Sequence, residues 1–219
     1  MNLFCRFNGA LLLGSSSLLA FSACSTETKL EFPAGLDPLQ EMQIEPPVGS
    51  SADPYPQELN LISETTEEYT WVQARGYLHQ DLLMGWEKIR DPEVYVDINE
   101  VTTYTVDEVS SDLYDYVFIV HNEVEDIITV NFDIEWRHGT LSGDINDPQG
   151  VAIRWQKTEG TNHISLLEGS LQFFPVEDDA GEAVENIIEV QFVYHLTATL
   201  EQQESAVQFV MDVYERWRM

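Results

Sequence analysis

From Ile128 to Arg137 apolar and polar residues alternate without a break. Ile128, Val130, Phe132, Ile134 and Trp136 take one phase; Thr129, Asn131, Asp133, Glu135 and Arg137 take the other. A period of two over this length predicts a half-buried antiparallel strand with one wet face. The pattern recurs twice. Val151, Ile153 and Trp155 alternate with Ala152, Arg154 and Gln156, and Ile188, Val190, Phe192, Tyr194 and Leu196 alternate with Glu189, Gln191, Val193, His195 and Thr197. Further strands are predicted over Tyr69–His79, Val101–Val109, Tyr114–Glu123 and His163–Val176. Breakers separate them at His138-Gly139, Asp147-Pro148-Gln149-Gly150, Glu159-Gly160 and Asp178-Asp179-Ala180-Gly181.

Two stretches change the period to that of a helix. Asp81–Arg90 places Leu82, Leu83, Trp86 and Ile89 on one face. Pro92 ends it, and Asp91 is suited to cap a second short helix reaching Tyr95 and Val96. Near the end, Ala206, Val207, Phe209, Val210, Val213, Tyr214 and Trp217 form a stripe over Glu201–Arg218. Thr199 with Gln202 fits a capping box, and Arg216 and Arg218 suit the negative end of the helix. The predicted order is a strand, two short helices, about six antiparallel strands and one long helix.

The first 57 residues follow neither period. Arg6, the apolar run Ala10–Phe21 and the small Ser22-Ala23 read as an export signal cut before Cys24. Residues 25–57 hold six of the nine prolines, with six acids against Lys29. That composition blocks helix and ladder and predicts extended chain with a reach of at most roughly 110 Å. Leu36–Ile44 is an exception, suited to one helical turn or to a strip docking on the domain. The division is then 1–23 signal peptide, 24–57 Cys24 and tether, 58–219 folded domain.

The chain of 219 residues carries 10 basic and 39 acidic side chains, a net charge of −29. Removing residues 1–23 takes away Arg6 and no acid, so the charge becomes −30. A polyanion of this size repels phosphate backbones and argues against nucleic-acid binding. Of the two cysteines only Cys24 survives the cut, so no internal disulfide can form.

Candidate chemistry is sparse. The five histidines, 79, 121, 138, 163 and 195, lack metal-site spacing. No nucleophile elbow, glycine-rich phosphate loop or dinucleotide fingerprint is present. No catalytic residue, metal or cofactor is expected. Arg137, His138, Arg154, Lys157 and His163 lie close in sequence and suit either an anionic head group or ion pairs with Asp133, Glu135 or Glu159 on a wet face. The second is the expected reading. His195, out of phase with Tyr194, is expected in solvent. Glu168 beside Gly169 reads as a solvated strand bulge rather than a buried acid. The acidic loops at Asp144–Asp147 and Glu177–Asp179 read as solvated turns, since neither matches a calcium loop.

Two resemblances add to this. Phe21-Ser22-Ala23-Cys24 resembles the lipobox of bacterial lipoproteins, with Phe21 where Leu is usual. It implies lipidation of Cys24, a membrane anchor and a place in the cell envelope, Ser25 pointing to the outer membrane. The element order, with Leu78–Asp97 carrying Trp86 and Asp91-Pro92-Glu93, resembles the START-like (SRPBCC, helix-grip) superfamily. That resemblance implies an α+β fold in which a curved antiparallel sheet grips the long C-terminal helix, two short helices following the first strand. It also implies an apolar cavity between sheet and helix, for a lipid or other apolar small molecule. Trp71, Phe132, Trp136, Trp155, Phe192 and Tyr194 would line that cavity or fill it as plain core. A cyclase- or hydrolase-type enzyme on the same cavity and a ligand-free interaction module are the alternatives. A lipocalin ranks lower, because Tyr69-Thr70 precedes Trp71 where Gly-x-Trp is expected.

Overall fold

A computed structural model of the chain describes residues 29–97, 100–125, 129–199 and 202–219. The proposed signal, Cys24 and the start of the tether lie outside the described residues. Eight strands and two helices follow in the order β1 (Leu59–Thr65), β2 (Thr70–Leu78), α1 (Leu82–Ile89), β3 (Thr103–Glu108), β4 (Tyr116–Glu125), β5 (Thr129–Asp144), β6 (Asp147–Gly160), β7 (Ile164–Glu177), β8 (Ala183–Ala198) and α2 (Gln202–Arg218). A single 3-10 turn, Pro92–Val94, follows α1 and is capped by Asp91 as its sequence predicts.

All strands pair antiparallel in one sheet of order β1-β2-β8-β7-β6-β5-β4-β3. Strands β3 to β8 are successive hairpins. The segment holding α1 carries the chain from β2, near one edge, to β3 at the other, and β8 then closes on β2. The curved sheet grips α2 in a helix-grip α+β fold.

The inner face follows the alternation. Phe132, Ile134 and Trp136 of β5, Ile153 and Trp155 of β6, Leu171 and Phe173 of β7 and Val190, Phe192 and Tyr194 of β8 are all buried. Tyr95, Trp136 and Trp155 form a stack with ring centroids 4.3 and 4.8 Å apart, and Phe192 meets Trp155 edge-on at 5.3 Å. The C-terminal half of α2 seats deepest. Trp217 lies edge-on to Phe173 at 5.1 Å, and the Tyr214 hydroxyl donates to the Tyr77 carbonyl at 2.8 Å. Lys88 Nζ donates to the Trp217 carbonyl at 3.0 Å, satisfying an orphan group at the negative helix end.

The outer face is covered over part of its area, while Thr103, Thr105, Thr129 and Asn131 remain exposed. Residues 29–57, extended and without ladder pairing, lie across it as a strap. Leu30 N–H donates to the Thr158 carbonyl, Leu39 N–H to Ser170 Oγ and Gln43 N–H to Gln73 Oε1. Arg137 and Arg154 reach up to the strap carbonyls of Pro33 and Asp37, both at 2.8 Å. From Lys29 onward the chain is therefore held against the sheet, and the 110 Å reach of a free tether does not apply to this segment.

The structure corrects several local expectations. Strand β1 has no predicted counterpart; its whole length pairs with β2, from Leu59↔Gly76 to Thr65↔Thr70. His138-Gly139 is not a turn, because β5 runs on to Asp144. Pro148, Gln149 and Gly150 belong to β6, and the hairpin turns at Ile145-Asn146. Gly169 marks no bulge; it lies in register opposite Trp155, whose ring covers it where a Cβ would otherwise stand. The expected capping box of α2 pairs Thr199 with Gln202, whose side chain lies outside the described residues.

Candidate functional site

A cavity of about 240 Å³ opens between the sheet and the N-terminal half of α2. Its floor is the aromatic run Phe132, Trp136, Trp155 and Tyr194, with Ile134, Leu167 and Leu196 beside them. Phe209 of α2 covers it. Its rim is polar: Asp97 and Glu100 from the loop after the 3-10 turn, Asn122 from β4, His163 from the β6–β7 turn, and Thr199 and Ser205 at the start of α2.

Side-chain size explains why space remains at this end and not at the other. Toward its C-terminus α2 presents Val213, Tyr214 and Trp217, which reach the sheet. Toward its N-terminus it presents Ser205 and Ala206, and the facing strand ends supply Val124, Val130 and Ala198. Helix and sheet are held apart by the aromatic layer, and these small residues do not fill the gap. The volume lies just under the range of about 300–1,000 Å³ usual for small-molecule sites, and the walls have the expected apolar character with a few polar groups.

Four of the six aromatic residues singled out in the sequence line this cavity: Phe132, Trp136, Trp155 and Tyr194. Phe192 faces the same layer but packs behind it, between Trp155, Phe209 and Trp217. Trp71 is out of phase with the buried Val72 and Ala74, so it stands half-buried on the outer face opposite His195. Val124, Val130, Leu167 and Phe209 complete the walls. Their inward phase is readable from the alternation and the helical stripe, but their place beside a void is not.

Two of the polar groups of the cavity are engaged by backbone carbonyls. Asn122 Nδ2 donates to the Val120 carbonyl at 3.0 Å, and the Tyr95 hydroxyl donates to the Ile89 carbonyl at 2.6 Å. Burial, with the Asp97 charge adding to it, pushes the Tyr194 phenol upward, so Tyr194 remains a neutral hydroxyl in the wall. Among the described residues no group of three His, Cys, Asp or Glu side chains is placed to hold a metal.

The basic residues that cluster in sequence are not brought together. Arg137 pairs with Glu135 at 2.7 Å along its own strand and with the strap, on the outer face. Arg154 is there too. Lys157 is buried, its ammonium donating to the Thr161 and Ile164 carbonyls at 2.7 and 2.6 Å, where it ties the β6–β7 turn. His138 is fully buried against Ile89, and desolvation lowers its pKa to about 3. Only His163 reaches the cavity. His195 is not in solvent: it is buried, stacked on Tyr69 at 4.6 Å and paired through Nδ1 with Glu168 Oε1 at 3.1 Å. Glu168 is accordingly a half-buried partner, not a solvated bulge.

No protein-family profile and no curated protein matches the sequence. Among solved structures the chain is similar to human StAR-related lipid transfer protein 5, with TM-score 0.49, 10% identity, and 73% of this chain and 82% of that chain covered. It is similar to the lipid transfer and protein localization domain of human StarD13, with TM-score 0.49, 8% identity and coverage of 73% and 84%. A Rhizobium leguminosarum protein gives TM-score 0.39, 10% identity and coverage of 74% and 95%.

Proposed function

We propose that this chain is a lipid-anchored envelope protein that binds a small apolar molecule, such as a lipid or part of one, between its sheet and α2. The observation that carries the binding is the cavity itself. A void of about 240 Å³ walled by Phe132, Ile134, Trp136, Trp155 and Leu167 forfeits dispersion contacts that a ligand would restore. Burying an apolar ligand there gains roughly 25 cal/mol for each Å² removed from water.

The anchor rests on the lipobox-like Phe21-Ser22-Ala23-Cys24. Cys24 precedes by six residues the first hydrogen bond of the strap, Leu30 to Thr158. Six residues span at most roughly 20 Å. Thr158 lies next to Lys157↔Ile134 and Glu159↔Asp133, at the end of the sheet where the cavity opens. A lipid on Cys24 would thus keep the cavity near the bilayer from which an apolar ligand would come.

Native mass spectrometry of the full chain carrying Cys24→Ser, purified from a lipid-rich host, tests the binding. A co-purifying apolar mass released by solvent extraction is the expected result. An apo mass that stays unchanged after incubation with a panel of lipids and short apolar molecules overturns it. Mass analysis of the native chain from bacterial membranes tests the anchor separately: acyl chains on Cys24 are expected, and a free thiol at that position contradicts it.

A further inference from the structure

Among the described residues the rim of the cavity carries two carboxylates and one imidazole as its ionisable groups apart from tyrosine: Asp97, Glu100 and His163. Its other polar groups are neutral, the Asn122 amide and the Thr199, Ser205 and Tyr194 hydroxyls. We infer that the cavity selects apolar molecules whose polar end donates a hydrogen bond, a hydroxyl or an ammonium, over those ending in a carboxylate or phosphate. This rests on the binding proposed above and names its ligand class.

The charges that would favour an anion are used elsewhere. Lys157 lies behind the wall at Ile164, and its ammonium is bound to two carbonyls. Arg137 and Arg154 are on the opposite face of the sheet, committed to Glu135, the Gly169 carbonyl and the strap. Arg216 donates to the Val94 and Val96 carbonyls and does not line the cavity. The charge of Asp97, by contrast, acts inside the cavity, since it adds to burial in raising the Tyr194 phenol. An anionic head at this rim would face Asp97 and Glu100, with the His163 imidazole beside them but, among the described residues, no guanidinium or ammonium lining the cavity, and the chain's net charge of −29 opposes its approach. A hydroxyl or ammonium meets acceptors instead.

The test compares three probes with the same ten-carbon chain: decan-1-ol, decylamine and decanoate. Each is titrated into the full chain carrying Cys24→Ser at about pH 7.5, where amine and carboxylate are charged, and followed by the fluorescence of Trp136 and Trp155. The alcohol and the amine are expected to bind at least roughly ten-fold more tightly than decanoate, a difference of about 1.4 kcal/mol. Asp97→Asn and, separately, the exposed Glu100→Gln are expected to narrow the gap between amine and carboxylate while leaving the alcohol unchanged. Glu100→Gln serves as the check should Asp97→Asn disturb folding. Decanoate binding as tightly as the alcohol, or a gap unmoved by both substitutions, overturns the selectivity and leaves the binding proposal standing. No saturable binding by any of the three overturns both.

Discussion

Trp155 lies flat over Gly169 on the neighbouring strand, and any Cβ at that position would occupy the space of the indole ring. Gly169→Ala is therefore an overpacking change at the centre of the aromatic layer. It is expected to cost about 1–3 kcal/mol, read as a lower midpoint in chemical denaturation; an unchanged midpoint would contradict the packing described. His138 illustrates burial of a different kind. Its folded pKa of about 3 lies well below the ordinary value of 6.5, so between these values the unfolded chain binds the proton and the folded chain does not. Stability from this residue is present above about pH 6.5 and is lost as pH falls, at up to about 1.4 kcal/mol per pH unit. Denaturation of the wild type and His138→Phe between about pH 7 and pH 4 separates this slope from that of the many carboxylates. The expected difference is a shallower fall in the variant, and identical slopes would contradict it. His138 could be placed in a strand from sequence, but its inward contacts with Ile89 and Trp86 come from α1, more than 40 residues earlier.

The strap is the element whose composition was read only in part. Prolines from Pro33 to Pro56 do give extended chain, but composition says nothing of where such a chain lies. Beyond the backbone bond of Leu30 to Thr158, the strap is fixed by side chains spread over several strands. Gln73 of β2 accepts from Gln43 N–H and donates to the Glu41 carbonyl, Ser170 of β7 accepts from Leu39, and Arg137 of β5 places its guanidinium 3.7 Å from the centre of the Phe32 ring. This cover reaches the outward phase: Gln73 and Ser170 are buried, and Arg154, expected on a wet face, binds the strap. At one edge Tyr69 performs the same service for His195. Alternation identifies two faces of a strand; it does not report whether a distant segment covers the polar one. Arg137→Ala should loosen the strap, costing about 1.5–3 kcal/mol for its charged hydrogen bonds and speeding amide exchange at Leu30, Gly35 and Leu39. Exchange unchanged at those amides would show that Arg137 does not hold the strap.

At the scale of the whole molecule, the sheet and α2 form a wedge. The end near Phe173 and Trp217 is closed by large side chains, and the end near Val124, Val130 and Ala198 stays open. The element order was legible because its determinants are periodic, namely the strand alternations, the stripe on α2 and the break at Pro92; the helix-grip arrangement followed only from the resemblance which that order carries. The aromatic layer was legible for the same reason, apart from Trp71, whose own phase against Val72 and Ala74 places it outside. A cavity was implied only by the resemblance; whether it is open or filled was not legible, because that depends on how residues from β4, β5, β7, β8 and α2 sum at one point. Filling it is the converse test. Ala198→Trp places an indole in the cavity, where the wild type leaves space for a ligand. Equilibrium titration of decan-1-ol into the Cys24→Ser chain, with and without Ala198→Trp, compares the two directly. Saturable binding to the unfilled chain is expected, raising its stability by about 2.7 kcal/mol at a hundred times Kd, with no binding to a filled chain that unfolds as cooperatively as before. Equal binding to both, or none to the unfilled chain, would contradict a ligand site between sheet and helix.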